Sequence, residues 1–165
     1  MLKLPELLEI PQDIESIIPS LFEVFKTDFI DSPVYFLSDP VVIPRPKNED
    51  DYPDVFWHII TKQENPKGRL FDFERAKRLV WLRPMIEGFR EPEILKWRSL
   101  EFDKNSGKVV QKYYLWYKNG QYLTVLKHVC RNGSRYYIAT AFYVFRSNEQ
   151  HFLNQYNAGE KFPWT

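Results

Sequence analysis

A single cysteine, Cys130, stands in the 165 residues of this chain. It cannot form an internal disulfide, and it leaves no material for a cysteine-rich zinc site. That usage fits a reducing compartment, and a cytoplasmic location is expected. Long apolar runs are also missing. Charges or prolines interrupt each one well short of the roughly 18 residues that a membrane helix requires. The first 13 residues, MLKLPELLEIPQD, carry prolines and acids where a secretory core would be apolar, so neither a signal peptide nor a membrane partner is expected. Glycine is scarce, with six in all, and no glycine-rich phosphate loop or G-x-S-x-G elbow occurs. His58, His128 and His151 are scattered and make no close set of His, Asp and Cys ligands, so no metal and no other cofactor is expected. No carboxylate pair stands out for glycoside chemistry.

What is present is ordinary for one globular domain, with 44% hydrophobic and 27% charged residues. The net charge of +1 conceals a division. Residues 1–57 hold 4 Lys/Arg against 12 Asp/Glu, and residues 58–165 hold 19 against 10. Such a split suits a basic surface with an anionic partner, and an acidic segment that docks against it. Two oppositely charged halves that simply attract each other are the plainer alternative.

Residues 13–29 read as helical, because Ile14, Ile17, Ile18, Leu21, Phe22 and Phe25 recur at helical spacing behind Asp13 as N-cap. Pro19 leaves a second option, a shorter helix from about Pro19 to Phe29. Five prolines punctuate 31–54, and Glu49-Asp50-Asp51 suits a solvated loop. Val55–Thr61 is β-branched and aromatic and reads as a short strand. Asp72–Gly88 reads as a helix capped by Asp72 and broken at Pro84. Ile94–Phe102, Lys108–Lys118, Gln121–Cys130 and Arg135–Phe145 are four strand-like runs, two of the joins being Asn-Gly. The fold class predicted is α+β: N-terminal helices on a four-stranded antiparallel meander, with the additional strand at 55–61.

Two-residue turns fix register. They place Lys112 opposite Lys127, Tyr114 opposite Val125 and Trp116 opposite Leu123. On the next strand they place Ile138 opposite Lys127 and Thr140 opposite Val125. Thr140 and Phe142 thereby join Lys112, Tyr114, Trp116 and Lys127 on one face. The other face holds Tyr113, Leu115, Leu126, Ala139 and Ala141 and is expected to carry the helices. For the first hairpin, the register that pairs Arg98 with Lys112 and Lys96 with Tyr114 adds two more cations to the first face. Like charges across a strand pair are unfavourable. Such a face is either open to water, its lysine stems covering apolar neighbours, or shaped for an anion. The interleaved aromatics Tyr114, Trp116 and Phe142 suit nucleic acid, whose bases stack while Lys and Arg hold phosphates, and core packing accounts for them about as well.

His128 alternates to the core-facing side of its strand and reads as structural, which leaves His58 with Lys/Arg, Thr and Tyr as the available chemistry. That set suits RNA cleavage by the substrate's own 2′-OH, with proton transfer by His and charge stabilisation by cations. The order of FWHIITK, FDFERAKRLVWLRPMIE and a meander ending in YYIATAFYV resembles the barnase/EndoU/colicin/RelE-type ribonuclease superfamily, in its phage- and toxin-associated branches. The resemblance covers roughly residues 55–146. It implies a metal-independent endoribonuclease domain over 55–165; the acidic 1–54 segment is no part of the resemblance, and its packing on that domain is expected from the charge division alone. The resemblance implies His58, Lys127, Thr140, Tyr143 and the helix cation Arg83 as catalytic residues. RNA contacts would come from Lys62, Arg75, Arg78, Lys96, Arg98, Lys112, Tyr114 and Trp116. Partners would be tRNA or rRNA and an acidic immunity or antitoxin protein. A non-catalytic module that holds RNA or an acidic protein on a basic sheet is the alternative.

Overall fold

The computed structural model describes residues 1–46, 51–64, 66 and 68–164. Of the acidic run at 49–51, Glu49 and Asp50 lie outside the described residues. Residues 1–12 have no regular structure. Helix α1 (Ile14–Phe25) starts at Asp13, whose carboxylate accepts from the Glu15 N–H at 3.3 Å and the Ser16 hydroxyl at 3.0 Å. Pro19 lies inside this helix rather than opening a shorter one. A wide π turn, Lys26–Ile30, continues it. A small hairpin follows, β1 (Tyr35–Phe36) and β2 (Asp39–Pro40), turned by Leu37 and Ser38 at positive φ.

The expected strand at 55–61 is instead a helix, α2 (Asp54–Ile60), and only Thr61 belongs to the strand that follows, β3 (Thr61–Gln63). Val55, Phe56, Ile59 and Ile60 are buried, a spacing that puts all four on one side of a helix. A strand would have sent Val55 and Phe56 to opposite faces. Burial against the core outweighed β-branched propensity. β3 pairs with β4 (Arg69–Phe71). The helical stretch after Asp72 is three short pieces: α3 (Phe73–Lys77), a 3₁₀ turn (Leu79–Trp81) and α4 (Leu82–Glu87). Asp72 caps it by accepting from the Arg75 N–H at 3.1 Å. The break falls at Arg78, not at Pro84, which sits in the first turn of α4 where its missing N–H has no helical partner.

The main sheet contains β5 (Ile94–Asp103), β6 (Lys108–Tyr117), β7 (Tyr122–Val129) and β8 (Arg135–Tyr143). Helix α5 (Glu149–Ala158) leads from it to β9 (Glu160–Lys161), which pairs with β5. The sheet is thus antiparallel and five-stranded, not four-stranded, in the order β8-β7-β6-β5-β9. Lys112 pairs with Lys127 as expected, though the connection is a 3₁₀ turn ending in Gln121 at positive φ. Between Val125 and Leu126 the β7–β8 register shifts by one, so Lys127 faces Tyr137 rather than Ile138, and Ala139 joins the Thr140 side.

The first hairpin departs by one residue. Arg98 pairs with Tyr113, Ser99 with Lys112 and Trp97 with Tyr114. A one-residue slip exchanges faces. Lys96 and Arg98 leave the Lys112 face, and Trp97, Ser99, Glu101 and Asp103 take their place.

Both faces are covered. Tyr113, Leu115, Leu126 and Ala141 bury against α1, α2 and α4, so residues before and after position 55 share one core. The other face carries Trp97, Tyr114, Trp116, Leu123 and Val125 beneath Phe152, Leu153 and Tyr156 of α5. The expectation of an open cationic face therefore fails over the half that α5 covers. α2 and α3 lie beside β8, which brings the end of α2 round to the α5 side of the sheet.

Candidate active-site cleft

Between α2, the 42–45 stretch, α5 and the uncovered part of the sheet lies a cleft of about 820 Å³. The sheet floor presents Lys112, Tyr114, Lys127, Thr140 and Phe142. α2 adds Asp54 and His58, four residues apart and so on one side of the helix. The stretch before them adds Arg45, and that stretch meets β8 where the Val42 N–H donates to the Tyr136 carbonyl at 2.8 Å. The β5–β6 hairpin adds Asp103, and β8 adds Tyr137.

His58 is solvent-exposed in the last turn of α2. Its own carbonyl accepts from Arg75 Nη1 at 3.0 Å and Arg69 Nη2 at 3.4 Å. The same guanidiniums reach the Thr61 carbonyl, at 2.6 and 2.9 Å. They satisfy carbonyls that the helix end leaves open. Partial desolvation and the Arg69 and Arg75 charges hold the His58 imidazole below its ordinary pKa, while Asp54 pulls it back up. The neutral, proton-accepting form is therefore favoured near neutral pH.

The cleft lysines are paired. Lys127 Nζ donates to Asp103 Oδ2 at 3.1 Å, and Lys112 Nζ lies 3.9 Å from Glu101 Oε1. The Tyr114 hydroxyl donates to Glu101 Oε2 at 2.6 Å; burial and that carboxylate push the phenol well above its ordinary pKa. Burial would raise Asp103, but hydrogen bonds from Ser106 and Lys127 more than offset it and hold the carboxyl below its usual range.

Other residues singled out in the sequence lie elsewhere. Arg83 donates to the carbonyls of Asp28 and Pro33 and pairs with Glu87, fastening α4 to the end of α1's π turn. The Tyr143 hydroxyl donates to Gln121 at 2.8 Å, with Arg78 stacked 4.5 Å above its ring. Arg78 itself binds Glu74 and the Gly120 carbonyl. Arg75 caps α2 and lies 5.5 Å from the centre of the Phe142 ring. Arg98 is bidentate to Glu160, and Lys96 donates to the Glu91 carbonyl. Trp116 is fully buried beneath α5. Lys62 is exposed on β3, away from the cleft.

Sequence reasoning missed Arg45, Asp54, Asp103 and Tyr137. The Asp54–His58 spacing was visible, but it becomes a shared face only once 54–60 is a helix. Among the described residues no three of His, Cys, Asp and Glu gather as a metal site, and no helix is long and apolar enough to cross a membrane. No family model, curated protein or solved structure matches this chain.

Proposed function

We propose that the cleft binds one phosphodiester of a single-stranded stretch of tRNA or rRNA and cleaves it without a metal. Neutral His58 accepts the proton of the 2′-OH, whose oxygen attacks phosphorus. The bond to the 5′ oxygen breaks, that oxygen takes a proton from water, and a 2′,3′-cyclic phosphate remains. Lys127 stabilises charge on the phosphoryl oxygens, and Thr140 positions the phosphate. Tyr137 and Phe142 offer rings against which a base can stack. One observation carries this reading: His58, Lys127 and Thr140, from α2, β7 and β8, line the same cleft. Its volume lies within the roughly 300–1,000 Å³ usual for small-ligand sites. A broad basic RNA-binding sheet is less well supported, because Lys96 and Arg98 stand on the opposite face.

The test is incubation with total tRNA and rRNA in EDTA. Wild type should cleave, and His58→Ala should cleave about 10²–10⁴-fold more slowly, with RNA affinity kept within a few-fold. No cleavage by wild type, or equal cleavage by both, rejects the reading.

A further inference from the structure

The main sheet is split at one end. β6 pairs with β5 along its whole length, but with β7 only over 112–117. Over 108–111 its β7-side edge has no strand beside it among the described residues. His128 and Val129 of β7 pair with β8 alone. The two strands diverge into a fork lined by Lys108, Val109, Val110, Val129, Cys130 and Arg131. Among the described residues no Asp or Glu lines it.

The ribbon bordering the fork is apolar where it should be polar. Phe102 and Val109 face each other across β5 and β6, each 64% exposed, and Leu100 on the same side is 70% exposed. An isolated two-stranded ribbon is marginal in water. An edge with open backbone groups beside exposed apolar side chains is a template for another strand.

We propose that this fork receives an extended, acidic segment of a partner protein, which adds a strand to the free edge of β6. This proposal does not rest on the ribonuclease reading. Backbone pairing supplies the attachment, and side-chain alternation supplies the specificity. On one side the segment would set apolar residues over Val109 and Phe102. On the other it would set an acid opposite Lys108, with Arg131 near the fork mouth. Charge decides between occupants. A second copy would bring another Lys108 and Arg131 against these, a like-charge meeting that disfavours it. Nucleic acid would use the cations but would leave the open peptide groups and valines without partners.

The test is a titration of the full chain, followed by backbone amide NMR, with three probes: a short peptide alternating Glu and Val, the same peptide with Lys for Glu, and oligouridylate. The Glu/Val peptide should shift amides of 108–111 and 128–131 and give strand-type contacts between its α-protons and those of β6. Lys108→Glu, a change at an exposed position, should weaken it about tenfold. Val109→Asp should weaken it similarly while the rest of the spectrum stays native. The proposal is overturned by any of four results: no shift at the fork with millimolar peptide, equal binding of the Lys peptide, fork shifts with oligouridylate instead, or fork shifts that follow protein concentration alone.

Discussion

Replacing Asp103 by Asn should make the protein less stable and its cleft more receptive to anions. Asp103 is only 8% exposed and its partner Lys127 20%, with 3.1 Å between the paired atoms. A hydrogen bond to a charged group contributes about 1.5–3 kcal/mol net. Asn keeps the shape and can still accept from Lys127, and the desolvation of a carboxylate is relieved. The net cost should be about 1–2 kcal/mol. For a domain of this size, that is a fall in Tm of roughly 2–8 °C. The sign with pH is fixed. The folded pKa of Asp103 is depressed, so its contribution is complete above the unfolded value of about 3.9 and is lost as pH falls through the folded one. Urea unfolding of both proteins, at neutral pH and in acid, measures the gap and its closure. At neutral pH the substitution leaves the Lys127 charge uncompensated, and affinity for a short oligouridylate should rise by up to about tenfold. Equal stability at neutral pH, or a gap unchanged in acid, would refute the assigned pairing. Unchanged oligouridylate affinity would remove Lys127 as a phosphate contact.

Asp54→Asn should lower the His58 pKa further, because the Asp54 carboxylate is the group that raises it. Imidazole NMR titration reads this directly, and the acid limb of the cleavage profile should move to lower pH; a rise in pKa would contradict the assignment. For the wild type, a His58 pKa below its unfolded value of about 6.5 means that protonation opposes folding, so stability should fall as pH drops below that value. Gly159→Ala should destabilise through lack of room rather than backbone conformation, since Gly159 has φ −79°. An added Cβ would lie 2.5 Å from Cδ1 of Trp97. That ring is fully buried and stacked on Tyr114 at 4.9 Å. Overpacking of about 1–3 kcal/mol corresponds to a Tm fall of roughly 2–12 °C, read by calorimetry; an unchanged Tm would show that the contact yields.

The strands were legible because alternation and turn residues agree over 94–143. Asn132 and Gly133 both adopt positive φ, as the dipeptide suggests, although they sit in a longer loop. The first hairpin could have been registered too. Gly107 has φ 69° and closes a loop of 104–107 by donating to the Asp103 carbonyl at 2.8 Å, an arrangement that a Gly at a loop's end permits. At 54–60 two principles conflict. Ile, Val and Phe favour strands, while their 55-56-59-60 spacing favours a helix, and only the core behind them decides. The fifth strand was invisible: Glu160–Lys161 pairs by virtue of where α5 delivers it, not by any pattern of its own.

The register slip also changes what salt dependence should be seen. With Lys96 and Arg98 on the first face, about five phosphate contacts on a single strand would give a log–log slope near −3.5. Their removal, and the structural use of Arg75, Arg78 and Arg83, leaves Arg45, Lys112 and Lys127 as the cleft's cations. Three contacts correspond to a slope of about −2, at roughly −0.7 per phosphate. Lys112 and Lys127 already face Glu101 and Asp103, so a phosphate must share them with carboxylates, which makes −2 an upper bound on steepness. Asp103→Asn should then steepen the slope while Lys112→Gln flattens it. Measuring oligouridylate affinity from low to moderate salt separates the cases. A slope near zero excludes nucleic acid from the cleft. A slope of about −3.5 or steeper would mean that phosphates are held outside it, and the compact single-phosphodiester site would be the wrong description.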